Sequence, residues 1–124
     1  MIVSDNISLI LIVTGGITML AALQYVAPAA FLKATLGRDV EGPVGRFYAQ
    51  GWGAAVGVIG LALVLAGLSP DGNEALVLMG LIGKAAFVAL VLASGGAFLR
   101  GHAFSVVLDV ICVTLYGLYL TQTL

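Results

Sequence analysis

Apolar residues run along this chain in four stretches of about 20, at 7–26, 45–68, 75–98 and 104–122, and the polar residues gather between them. A helix of that length spans the roughly 30 Å hydrocarbon core of a bilayer. Inside each stretch the small and polar residues recur at alternating steps of four and three. The second gives Arg46, Gln50, Gly53, Gly57, Gly60, Val64 and Gly67; the first gives Thr14, Thr18, Ala21 and Tyr25. The third gives Gly80, Lys84, Phe87, Val91 and Ser94, and the fourth Ser105, Asp109, Cys112, Tyr116 and Tyr119. Residues so spaced share one side of a helix. Four smooth or polar stripes on otherwise greasy helices predict that the stripes face each other, because lipid supplies no hydrophobic drive for helices to associate. A step averaging 3.5 residues predicts left-handed crossings of about 20°. The expected architecture is an all-α, integral membrane four-helix antiparallel bundle, one membrane domain over residues 1–124.

The connections refine this picture. Ser69, Pro70, Asp71, Gly72 and Asn73 form a dense turn between the second and third stretches, and the link at 99–102 is short. The longer connection at 27–43 sets Phe31, Leu32 and Leu36 beside Lys33 and Arg38, a pattern that lies along the membrane surface. Lys33, Arg38, Arg46 and Arg100 fall on one side of the predicted bundle, and Asp5, Asp71 and Glu74 on the other. By the positive-inside rule the first and third loops are cytoplasmic and both termini lie outside, in a bacterial inner membrane. No Lys or Arg precedes the first apolar run, so that run reads as a retained helix rather than a cleaved signal. The two halves show no internal repeat.

Composition agrees with the membrane class: 61% of residues are hydrophobic and 9% charged, against roughly 25% charged in a soluble domain. A net charge of −1 provides no basic field for nucleic acid. One cysteine, Cys112, rules out a disulfide within the chain, and one histidine, His102, rules out a haem held by two histidines of this chain.

The intramembrane polar residues are the candidate chemistry. Asp109 lies about six residues inside the fourth stretch, where a lone carboxylate costs on the order of 3 kcal/mol. Arg46 at similar depth on the second is its expected partner, with Gln50 and Ser105 near it. That pair is either a clamp fixing helix register or the polar floor of a site open to the cytoplasm. Lys84 lies near mid-membrane, level with Thr14, Gly57 and Tyr116. Asp109 is its obvious partner by charge, but their heights differ by roughly 12 Å and the Cα–Cβ bonds of the two antiparallel helices lean apart, so the expectation is that Lys84 snorkels, bonds Tyr116 and Thr14, or loses its proton. The groove of Gly53, Gly57, Gly60 and Gly67 is either an internal packing face or a contact between chains, and opposite Lys84 it leaves room for a ligand, a lipid chain or a partner helix. Tyr25, Tyr48, Trp52 and Tyr119 read as interface anchors, His102 as a solvated loop residue and Cys112 as an inert buried side chain.

Pro28 and Phe31 after the first helix, Leu36-Gly37, then Arg46-Phe47-Tyr48 opening a second helix with Gly51, Gly53, Gly57 and Gly60-Leu61 resemble the DoxX-like group of small four-helix membrane proteins. The likeness covers about residues 26–67, and the rest matches by helix count. It implies a small membrane subunit, of the kind that serves quinone-linked sulfur oxidation, redox-stress complexes or the assembly of other membrane proteins; no catalytic motif carries over. The leading functional reading is a non-catalytic accessory or assembly subunit of a larger membrane complex, with lipids and other subunits or a second copy as partners and no cofactor of its own. The alternative is a quinone- or lipid-binding oxidoreductase subunit using Lys84, Tyr116, Arg46 and Asp109. A small transporter ranks last, because the first helix lacks the acidic residue such dimers use.

Overall fold

The computed structural model describes residues 2–37 and 42–122; Arg38 lies outside the described residues. Among these the chain is helical, and four helices are long and apolar enough to cross a membrane: Ile7–Val26, Gly42–Leu68, Glu74–Ser94 and Ala103–Leu120. They are called spans one to four below, and they make this an integral membrane protein of all-α, four-helix architecture.

Spans one and two form the closest pair, and glycine is the reason. Added at Gly60, a Cβ would lie 2.5 Å from Met19 N and 2.7 Å from Gly15 O; at Gly53, 2.7 Å from Tyr25 N; at Gly67, 2.8 Å from Ile12 Cγ1. Residue numbers fall along span two as they rise along span one. The glycine groove is thus filled by span one of the same chain, which resolves the choice left open between an internal and an intermolecular contact. It also removes the room for a ligand expected opposite Lys84. The gain is dispersion and close backbone approach, the forces that remain when helices pack in lipid.

The other two spans close the core. Leu11, Leu63, Val77, Cys112 and Tyr116, drawn from all four spans, are fully buried. Gly80 of span three lets Leu63 lie against its backbone, 2.6 Å from where a Cβ would stand.

Loop residues set the ends. Ala27 leaves the helical conformation, at φ −137° and ψ 71°, before Pro28, whose ring disfavours the α region for the residue preceding it. Pro28 opens a separate helix, Pro28–Leu36, which Gly37 ends at φ 79°. The third helix stops at Ser94, four residues short of the expected end, because Gly95 takes φ 103°. A short helix, Gly96–Gly101, follows and packs against Pro28–Leu36. Span one also tightens into a 3₁₀ turn at Leu20–Ala22.

Candidate functional site

The intramembrane polar groups assemble around span one. Lys84 Nζ of span three donates to Asp109 Oδ1 of span four at 2.7 Å and to Thr18 Oγ1 of span one at 2.8 Å. Thr18 Oγ1 in turn donates to Thr14 O at 2.7 Å. Thr14 Oγ1 donates to Ile10 O at 2.6 Å and lies 2.5 Å from the Tyr116 hydroxyl. Since the single Thr14 proton is committed to Ile10 O, Tyr116 is the donor of that last bond. One network therefore joins spans one, three and four. Among the described residues no buried side-chain nitrogen or oxygen lacks a partner, as the expense of an unpaired polar atom in hydrocarbon requires.

This arrangement corrects three expectations. Asp109 pairs with Lys84, and Arg46 is an exposed residue near the start of span two. Gln50 does not approach Asp109; its Nε2 donates to Tyr25 O at 3.0 Å. Lys84 bonds Thr18, one turn from the expected Thr14, and Thr14 takes Tyr116. The cause of the first error is the glycine break. With span three ending at Ser94, Lys84 lies about ten residues, or roughly 15 Å, from that end, while Asp109 lies roughly 9 Å inside span four. A height difference of about 6 Å is within reach of a lysine stem, even with the two Cα–Cβ bonds leaning apart.

A second polar feature ties spans one and two: Gln24 Nε2 donates to Ala49 O at 2.6 Å, beside the Gln50–Tyr25 bond. Gln24 is buried and Tyr25 exposed, whereas the four-three stripe names Tyr25. The 3₁₀ turn accounts for this. It rotates each residue by about 120° instead of 100°, so three residues turn the helix roughly 60° further and bring Gln24 inward.

Beyond this polar core lies a cavity of about 230 Å³, lined by Gln24 of span one, Trp52 of span two, Phe87, Leu90, Val91 and Ser94 of span three, Leu32 of Pro28–Leu36, Phe98 of Gly96–Gly101, and His102. Trp52 and Phe87 stack with ring centroids 5.7 Å apart, and His102 meets the Phe87 ring edge-on at 5.5 Å. His102 is half-buried, not a freely solvated loop residue. Burial holds its imidazole below the ordinary value of 6.5, because the apolar wall disfavours the charged form. The sequence pattern does not reveal this cavity, since its apolar lining residues come from four separate elements. The nearest signal is aromatic spacing, Phe87 and Phe98 on either side of the Gly95-Gly96 pair.

Among the described residues no group of three or more His, Cys, Asp and Glu side chains could hold a metal. No protein-family model, no curated protein and no solved structure matches the chain.

Proposed function

We propose that the protein is a small, non-catalytic accessory or assembly subunit of a larger membrane complex. The observation that supports this reading is the closure of the polar core: Lys84, Asp109, Thr18, Thr14 and Tyr116 are engaged with one another across three spans. Polar groups spent in this way fix helix positions and yield a rigid module whose outward surfaces meet lipid or other subunits. The DoxX-like resemblance over residues 26–67 accords with a subunit of that kind. Purification in mild detergent tests the proposal: a larger membrane protein should copurify at fixed stoichiometry. Recovery of the chain alone, under conditions that preserve other membrane complexes, would sink it.

The same proposal places both termini outside the cytoplasm and the first and third connections inside, in a bacterial inner membrane. Its support is the distribution of Lys33, Arg38, Arg46 and Arg100 against Asp5, Asp71 and Glu74, together with the packing of Pro28–Leu36 on Gly96–Gly101, which gathers Lys33 and Arg100 at one end. Cysteines introduced at Gly72 and Lys33 provide the test, with the buried Cys112 as a silent background. An impermeant thiol reagent outside intact cells should label the first and spare the second. The opposite pattern reverses the orientation.

A further inference from the structure

The cavity between Trp52, Phe87 and Phe98 takes no part in the polar network, and its chemistry points to an occupant. Its wall is largely apolar and aromatic; two of its polar side chains, Gln24 and Ser94, are turned toward backbone, and the third, His102, packs against the Phe87 ring. Gln24 Nε2 is committed to Ala49 O, and Ser94 Oγ donates to Leu90 O at 2.6 Å. A volume of about 230 Å³ exceeds the roughly 150 Å³ that holds a benzene-sized apolar guest. It therefore admits a segment of hydrocarbon chain, not a whole lipid.

Two cations neighbour the lining residues. Lys33 follows the lining residue Leu32 and is exposed; Arg100 lies between Phe98 and His102, both lining residues, and is exposed too. The guanidinium of Arg100 folds back over Gly96, its Nη1 3.6 Å from where a Cβ on that glycine would stand. Of the carboxylates outside the core, Asp5, Asp71 and Glu74 belong to the opposite end of the bundle, where Gly67 meets Ser8 and Ile12, while Asp39 and Glu41, in the same connection as Lys33, lie outside the described residues. An apolar slot whose lining is neighboured by two cations, in a protein whose surroundings are acyl chains, matches an amphiphile with a negative head.

We propose that this cavity binds one acyl chain of an anionic membrane lipid, with a chain segment lying against Trp52, Phe87 and Phe98 and the headgroup held by Lys33 and Arg100. This goes beyond the accessory-subunit reading and does not depend on it. Phe87 and Val91 carry the wall directly onto the helix of Lys84, so an occupied cavity braces the end of span three next to its break at Gly95.

Trp52 is the sole tryptophan, which supplies the assay. The full chain is reconstituted in phosphatidylcholine vesicles, and acyl-brominated phosphatidylglycerol or acyl-brominated phosphatidylcholine is titrated in as quencher of Trp52 emission. The expected result is a preference for phosphatidylglycerol of about 30-fold, from two cations at the headgroup. Lys33→Gln with Arg100→Gln, both at exposed positions, should abolish that preference. Ser94→Phe, which fills the cavity from its wall, should reduce quenching by either lipid, with circular dichroism reporting that the helices are retained. Equal quenching of the native protein by the two lipids overturns the proposal. So does a preference that survives the double substitution, or a native profile retained by a folded Ser94→Phe protein.

Discussion

Replacing Asp109 by Asn keeps the shape of the side chain and an acceptor beside Lys84, and removes only the charge. The two side chains are 11% and 6% exposed, and Nζ lies 2.7 Å from Oδ1. At an effective dielectric constant of about 20, a pair at that distance attracts by roughly 6 kcal/mol before desolvation is set against it. Breaking buried pairs from one side costs about 3–5 kcal/mol, most of it from the charge left behind. The expected loss for Asp109→Asn is therefore about 3–5 kcal/mol, read from reversible unfolding in mild detergent titrated with dodecyl sulfate. Lys84→Met combined with Asp109→Leu removes both charges and should be more stable than Asp109→Asn alone. Arg46→Gln should combine additively with Asp109→Asn, within about 0.5 kcal/mol, because the two sites share no bond. An Asp109→Asn protein as stable as the native one, or a double variant no better than the single, would refute the ion pair as the lock of this core.

Gly60→Ala should cost about 1–3 kcal/mol in the same assay, because the new Cβ meets the backbone of Met19 and Gly15; Gly16→Ala, with open space around it, should be neutral or slightly stabilising. Tyr116→Phe should cost about 0.5–1.5 kcal/mol, since Thr14 keeps its bond to Ile10 and loses only the tyrosine. The lowered pKa of His102 makes protonation favour the opened state. Stability should be fully present above about pH 6.5 and fall as the pH drops below it, with Trp52 emission reporting the loosened ring stack. His102→Phe should remove that dependence, and a pH response that persists in the variant would assign it elsewhere.

Much of the core was legible in the sequence because membrane helices are written in small residues. Gly53, Gly57, Gly60, Thr14, Thr18, Lys84, Asp109, Cys112 and Tyr116 were all picked out by one spacing rule, and all are buried. Partner choice was not legible. It turned on Gly95, a single residue in a left-handed conformation, which moves the end of span three by a turn and brings Lys84 within reach of Asp109. The inward turn of Gln24 was hidden for a related reason. A stripe assumes constant pitch, and the 3₁₀ segment at Leu20–Ala22 breaks that assumption. The aromatic cavity left little beyond the placing of Phe87 and Phe98 around Gly95-Gly96, since Leu32, Trp52, Phe87, Phe98 and His102 meet only after the helices pack.

The position of Lys84 also bears on how the chain enters the bilayer. Its partner Asp109 is made 25 residues later, so span three must leave the translocon with its ammonium uncompensated by a carboxylate. On insertion scales a central lysine costs on the order of 3 kcal/mol, and each Leu, Ile, Phe or Val returns about 0.3–0.6. Span three carries ten such residues and is the most apolar of the four spans, a return of roughly 3–6 kcal/mol on the same scale. The greasiest segment is thus the one that bears the lysine. It can insert unaided during synthesis, with Thr18 of span one already present as a first acceptor, and the salt bridge forms when span four arrives.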